Sequence, residues 1–218
     1  MAVLVPAILS RESSEITEKL KFLESIPEIS DVHIDFADGK FVESTTVLPR
    51  VLRPFQTKLK VEAHLMTHAP QHYFYALEML GVALVNIHFE SFHRVSDLMA
   101  AVKNASFLKL ESAVVFNPET EIAEVEHVVR QVNRLALMSV YPGFQGRKFL
   151  RESFSRLETL RKLNPHAIIE IDGGINLENI SQVAAAGATR IVVGSGIWQT
   201  HDVKQRVHDL LAKINTKK

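Results

Sequence analysis

Histidines and aspartates recur in this sequence where apolar strands should end. In DVHIDFADGKFV, Asp31 to Val42, the residues Val32, Ile34 and Phe36 alternate with His33 and Asp35. An extended chain therefore turns this imidazole and carboxylate to one face, two residues apart. His64 ends a similar run in EAHLM, and Asp172 stands in IDGGIN. Two imidazoles and two carboxylates suit a borderline divalent ion (zinc, iron(II), cobalt or manganese) better than calcium or magnesium, which prefer oxygen shells. A buried network of two Asp–His pairs would neutralise the same charges without an ion. The four residues come from distant segments and form no local motif such as HExxH, so spacing leaves both readings open.

Glycine supplies the second signal, in YPGFQGRKF from Tyr141, DGGIN from Asp172 and VGSGIW from Val193. Such loops let backbone N–H groups approach an anion, and helix N-termini add positive potential. Any one of them would serve only as a tight turn; three on adjacent late loops favour a phosphate site. Arg147 and Lys148 suit either that site or a solvated helix start, and Met66 and Met138 read as core or pocket wall. His68, His72, His93 and His201 fall in loops or helices and receive no role.

The elements that must position these groups alternate regularly. Strands are expected at Val3–Leu9, Asp31–Phe36, Leu59–Leu65, Ala83–Phe89, Leu110–Phe116, Arg134–Val140, Ala167–Ile171 and Arg190–Val193. Helical spacing falls between and after them, at Ser13–Glu24, Thr46–Phe55, Pro70–Leu80, Val95–Lys103, Glu119–Val132, Lys148–Leu163, Leu177–Ala186 and His201–Ile214. Ser13 and Ser14 are expected to cap the first helix and Asn176 to open the seventh, with Gly81 and Gly187 ending the third and seventh. Eight βα units without a linker predict an α/β fold, a (β/α)8 TIM barrel in one domain over 1–218, with an open doubly wound sheet as the alternative. Strand C-terminal ends then become the place to look for chemistry. Ser10, His33, Asp35, His64, Met66, His88, Asn117, Met138, Tyr141, Asp172, Gly194 and Ser195 all stand there.

Composition removes other classes. Lys+Arg and Asp+Glu are equal at 25 each in 218 residues. The only like-charge cluster is the short Lys217-Lys218 tail, so neither nucleic acid nor an anionic membrane is an expected partner. There is no cysteine, which excludes disulfides and thiolate metal sites. The first residues lack a basic leader and meet proline and charge early, so a cytoplasmic protein is expected. The NAS at Asn104 is then an idle glycosylation pattern.

AILS at Ala7–Ser10, HIDFADGKFV at His33–Val42, EAHLM at Glu62–Met66, MSVYPGFQGRKF at Met138–Phe149, IDGGIN at Ile171–Asn176 and VVGSGIW at Val192–Trp198 together resemble the ribulose-phosphate 3-epimerase family. They run in family order over nearly the whole chain. The resemblance implies a (β/α)8 barrel that binds one divalent ion and inverts C3 of a ketopentose 5-phosphate through an enediolate. It implies His33, Asp35, His64 and Asp172 as metal ligands, with Asp35 and Asp172 as the acid–base pair. Ser10 would lie beside Asp35 and the substrate, and Met66 and Met138 would wall the reacting carbons. Gly143, Phe144, Gln145, Gly146, Gly174, Gly194 and Ser195 would hold the phosphate. Two carboxylates facing each other across a carbon next to a ketone can remove a proton on one face and return one on the other, with no redox cofactor.

The sequence departs from the family pattern at Ala37, where methionine is common, at Glu43-Ser44 in place of Pro-Asn, and at Gln145 and Arg147 in place of Gly and Gln. These departures bear on the preferred sugar and open a ketohexose 6-phosphate as an alternative substrate. A Schiff-base aldolase fits poorly, because Lys58, Lys60 and Lys109 precede or begin strands. An orotidine-type decarboxylase would want Asp-x-Lys where Asp35 is followed by Phe36 and Ala37. A non-catalytic sugar-phosphate binder would have no reason to keep four costly ionisable groups. Related barrels often form homo-oligomers; Phe74, Tyr75 and Phe92 would serve an interface or a helix buried within the monomer equally well.

Overall fold

The computed structural model describes residues 2–215, so the Lys217-Lys218 tail lies outside the described residues. The strands are β1 (Val3–Leu9), β2 (Asp31–Ala37), β3 (Lys60–Met66), β4 (Leu84–His88), β5 (Glu111–Phe116), β6 (Arg134–Met138), β7 (Ile168–Asp172) and β8 (Arg190–Val193). They form a closed barrel in the order β1 to β8, which settles the choice against an open sheet. Each resolved pairing is parallel, β1 with β8 included. Parallel strands open their C-terminal ends on one rim, the rim that carries chemistry in barrel enzymes.

By density of contacts the chain groups into two compact units, Ala7–Val115 and Met1–Pro6 with Phe116–Lys218. In the first, β2 is buried almost throughout. Val32, Ile34 and Phe36 alternate with His33, Asp35 and Ala37, and both sets are out of water, as strands packed on two faces require. Phe36 and Phe74 are among its largest fully buried side chains. In the second, β6 to β8 bury Leu135, Leu137, Ile169, Ile171 and Ile191, with Leu157 and Leu160 of the helix Ser153–Leu163 also out of water.

Helices are α1 (Ser13–Glu24), α2 (Phe74–Met79), α3 (Val95–Phe107), α4 (Glu126–Val129), α5 (Ser153–Leu163), α6 (Ile180–Ala185), α7 (Ser195–Trp198) and α8 (Val203–Asn215). The helix expected over Thr46–Phe55 is one 3-10 turn, Pro49–Val51, flanked by extended Leu48 and Leu52. Pro49 and Pro54 account for this, since a residue before proline is driven out of the helical region. The segment expected over Pro70–Leu80 begins as 3-10 at Pro70–Tyr73 and becomes helical only at Phe74. Glu119–Val132 contains only the four residues of α4, and tight i to i+3 bonds precede it, such as Val125 N to Ile122 O at 3.3 Å. Ile122, Val125, Val128, Val129 and Val132 are β-branched and poor at sustaining a helix.

Ser13 is the first residue of α1 rather than its cap, and extended Glu12 at the cap makes no side-chain bond. Asn179, not Asn176, starts α6: its Oδ1 accepts from Asn176 N at 2.9 Å, while Asn176 Oδ1 accepts from Glu178 N at 2.8 Å. Gly81 and Gly187 do end α2 and α6, at φ of +80° and +108°. Phe74 is fully buried, Tyr75 is 68% exposed and Phe92 is half-buried, so Phe74 belongs to the core. Among the described residues, no helix is long and apolar enough to cross a membrane.

Candidate active site

β2 and β3 pair in a register that sets His33 beside Glu62, Asp35 beside His64 and Ala37 beside Met66. His64 in turn pairs with Asn86 of β4, and His88 is the last residue of that strand. Because side chains alternate along a strand, Glu62, His64 and Met66 share one face, as do His33, Asp35 and Ala37. The register brings these charged faces together.

What results is a row of acids and imidazoles in which two imidazoles stand side by side near one end. Glu62 Oε1 lies 2.7 Å from His33 Nδ1, and His33 Nε2 lies 3.2 Å from Asp35 Oδ1. The same Asp35 oxygen is 2.8 Å from His64 Nδ1, and His64 Nε2 is 2.8 Å from His88 Nε2. His88 Nδ1 then faces Glu90 Oε2 at 3.4 Å. His33, Glu62, His64 and His88 are each at most 1% exposed, and Asp35 is 7% exposed.

Charges this deep must be balanced locally. Burial alone would push His33 toward its neutral form; the Asp35 charge and hydrogen bond, then the Glu62 bond and charge, override it and hold His33 well above the ordinary imidazole range. Burial likewise works against an ionised Asp35. The charges and hydrogen bonds of His33 and His64 reverse that and hold its carboxyl well below the ordinary carboxylate range.

Around this cluster, Asp38 ties the loops after β2 and β3. Its Oδ1 accepts from Lys40 N at 2.8 Å and Phe41 N at 3.0 Å, and its Oδ2 from His68 N at 2.9 Å. Burial raises its carboxyl less than these three bonds and the Lys40 charge lower it. The Phe41 ring packs on His88 with centroids 4.7 Å apart. Ser10 is buried at the end of β1, but its hydroxyl serves the entry to α1. It donates to Glu12 O at 3.1 Å, accepts from Glu12 N at 3.0 Å, and also bonds the Glu15 carboxylate.

The second unit carries the glycine loops. Met138 and Asp172 are register partners at the ends of β6 and β7. Ser139 clamps the chain there, its N–H donating to Asp172 O at 2.7 Å and its hydroxyl to Asp172 O at 2.9 Å and Gly173 O at 2.6 Å. Gly174, at φ of +63°, lies so close to the preceding loop that an added Cβ would meet Phe149 N at 2.5 Å and Arg147 O at 2.9 Å. At Gly196 an added Cβ would meet Ile175 O at 2.3 Å. The loops after β6, β7 and β8 are thus held backbone to backbone where only glycine fits. Gly194 is the cap of α7 and Ser195 its first residue. Gly143 and Gly146 take φ of +110° and +82°. Phe144 is 45% exposed, beside exposed Gln145, with the Arg147 guanidinium 5.5 Å above its ring.

The structure therefore assembles His33, Asp35, His64 and Met66 in one place and Met138, Asp172, Gly174, Gly194 and Ser195 around the late loops. Glu62, His88 and Glu90 were not read as site residues from the sequence. Glu62 was findable, since it stands two residues before His64 on the same strand face; His88 was noted only as a strand end.

A closed parallel barrel that buries an imidazole–carboxylate cluster at strand ends and packs glycine loops beyond β6, β7 and β8 has the architecture of a barrel enzyme. Comparison with known proteins narrows the class: the model of the ribulose-phosphate 3 epimerase family matches residues 3–198. The chain is 33% identical over 217 residues to a ribulose-phosphate 3-epimerase of Aquifex aeolicus, with 96% of each chain covered. It is 31% identical to the chloroplastic ribulose-5-phosphate-3-epimerase of Arabidopsis thaliana, over 96% of this chain and 76% of that one. Among solved structures, 3-hexulose-6-phosphate synthase from Salmonella typhimurium superposes with a TM-score of 0.67 at 16% identity, covering 97% of each chain. That likeness is one of fold. This chain belongs to the ribulose-phosphate 3-epimerase family.

Proposed function

We propose that this protein interconverts D-ribulose 5-phosphate and D-xylulose 5-phosphate by inverting C3, with one divalent ion held by His33, Asp35, His64 and Asp172. The observation that carries the reading is the convergence of His33 Nε2 and His64 Nδ1 on a single oxygen of Asp35, at 3.2 and 2.8 Å. The opposite nitrogens are engaged by Glu62 and His88, which leaves the converging pair as ligand atoms. This is how metal-ligating histidines are oriented by outer partners, so the residues present fit the ion. The donor set of imidazole and carboxylate suits zinc, iron(II), manganese or cobalt.

When bound, the ion supplies Lewis-acid stabilisation for negative charge developing on the substrate oxygens. The protein supplies the proton transfers. One of Asp35 and Asp172 removes the C3 proton, and the other returns a proton from the opposite face. Met66 and Met138 present apolar surface to the reacting carbons and keep water from them. Gly174, Gly194, Ser195 and Gly143 to Gly146 present backbone to the phosphate at the loops after β6, β7 and β8. Ser10, with its hydroxyl engaged by Glu12 and Glu15, contributes by fixing the start of α1 beside the end of β1.

A second reading, 3-epimerisation of a ketohexose 6-phosphate, is favoured by Ala37. This buried side chain is small and lies on the face that carries Asp35.

The test is proton NMR of metal-loaded protein in deuterated water with D-ribulose 5-phosphate. Deuterium entry at C3 together with xylulose 5-phosphate is expected, and Asp35→Asn or Asp172→Asn should abolish both while the fold persists. Substantial turnover by either variant would overturn the two-carboxylate mechanism. Exchange only with a ketohexose 6-phosphate would select the second reading.

A further inference from the structure

The outer end of the acid–imidazole row takes no part in the proton transfers above, and only the contact of His88 with His64 has been used so far. His64 Nε2 and His88 Nε2 lie 2.8 Å apart, while the ring centroids are 4.9 Å apart with planes inclined by 23°. So long a separation between centroids, with the nitrogens so close, requires each nitrogen to point at the other along its ring radius. The contact is an edge-to-edge N–H···N hydrogen bond, and one of the two Nε2 atoms carries its proton. His88 is held in turn by the Phe41 ring at 4.7 Å and faces Glu90 Oε2 through Nδ1 at 3.4 Å.

Proton bookkeeping along this row is restrictive. If His64 offers the Nδ1 lone pair to an ion, its own proton must sit on Nε2 and be donated to His88. His88 must then keep its proton on Nδ1, and the group facing Nδ1 is a carboxylate. A carboxylate accepts and cannot donate when ionised, so Glu90 favours the one tautomer of His88 that makes it an acceptor for His64.

We propose that His88 and Glu90 are positioning residues that hold His64 as its Nε2–H tautomer, so that Nδ1 is the atom presented to the divalent ion. This rests on the metal reading given under Proposed function and extends it to two residues beyond the ligand set. His33 has the same arrangement in one step, with Glu62 directly on Nδ1. His64 reaches its carboxylate in two steps, through an intervening imidazole.

The test is zinc affinity of the full-length protein, measured by competition with a chromophoric chelator, alongside two-dimensional 15N NMR of the histidine rings in the zinc-loaded form. One zinc per wild-type chain is expected, with His64 bound through Nδ1 and protonated at Nε2, and His88 protonated at Nδ1. His88→Leu should weaken zinc binding about 10–100-fold. His88→Gln, whose amide oxygen can accept from His64, should recover part of that loss. Glu90→Gln should weaken binding and shift the His88 tautomer signals; it alters a partly exposed side chain and guards against a His88→Leu variant that fails to fold. A purely structural role would lower the melting temperature of these variants and leave zinc affinity unchanged. Wild-type affinity in folded His88→Leu or Glu90→Gln, or zinc on Nε2 of His64, overturns the inference alone. A wild-type protein that binds no zinc overturns the metal reading and the inference with it.

Discussion

Gly174→Ala offers a sharp test of how the late loops are built, with Gly81→Ala as its control. Both glycines have positive φ, +63° and +80°. An alanine at either position therefore suffers the left-handed backbone penalty of about 1–2 kcal/mol. They differ in surroundings. At Gly81 nothing lies within 4 Å of an added Cβ, whereas at Gly174 it would sit 2.5 Å from Phe149 N and 2.8 Å from Phe149 Cα. Those distances fall roughly 1 Å short of ordinary contact, and the atoms are backbone, so the loops after β6 and β7 must part. Overpacking adds about 1–3 kcal/mol, giving roughly 2–5 kcal/mol for Gly174→Ala against about 1–2 kcal/mol for Gly81→Ala. At about 2–4 °C per kcal/mol for a chain of this size, calorimetry separates the two. Displacing by about 1 Å a loop proposed to hold the substrate phosphate should also lower kcat/KM by about 10²-fold, mainly through KM, while Gly81→Ala keeps wild-type kinetics. If Gly174→Ala melts with Gly81→Ala and retains wild-type kcat/KM, the loop packing described above is refuted.

Two other perturbations follow from the geometry. In chelator-treated protein His33 is held above its unfolded value, so its stabilisation is fully present below about pH 6.5 and fades as pH rises through the folded value. The melting-temperature gap between metal-free wild type and His33→Asn should therefore narrow as pH rises, while zinc affinity rises over the same span because the ligand must be neutral; a gap that widens with pH would contradict this balance of charges. Arg161 donates through Nη1 to Pro165 O at 2.9 Å and Ala167 O at 2.8 Å, and through Nη2 to Gly187 O at 2.9 Å. A lysine cannot reproduce that fork, so Arg161→Lys should cost about 1.5–3 kcal/mol, and an unchanged melting temperature would show the three bonds to be dispensable.

The strand pattern was readable in the sequence because apolar alternation and β-branched runs directly report burial on two faces. Each of the eight strands is found with ends within two residues of expectation. Connecting segments were less legible. Thr46–Phe55 has helical apolar spacing, but Pro49 and Pro54 break it, and that conflict is decided by backbone sterics rather than periodicity. The candidate site residues on β2, β3 and β7 stand out in the sequence because an ionisable group on a buried strand needs a reason. Glu62 shares the strand face of His64, but its partner His33, like the contact of His88 with His64, follows only from inter-strand register, His33 beside Glu62 and His64 beside Asn86, which a single sequence does not state. Ser10 illustrates the opposite limit: the sequence sets it just after β1, but only the structure shows that its hydroxyl bonds Glu12 and Glu15 at the entry to α1.

The same row of acids and imidazoles also bears on folding. A parallel strand that slips by one residue turns every side chain to its other face. For β3 such a slip against β2 would carry Glu62 and His64 away and leave His33 and Asp35 buried against Val61, Ala63 and Leu65. Apolar neighbours would tolerate that slip at modest cost; unpaired buried ions would not. The charges of this buried row therefore also act as a key against a one-residue slip of β3 along β2.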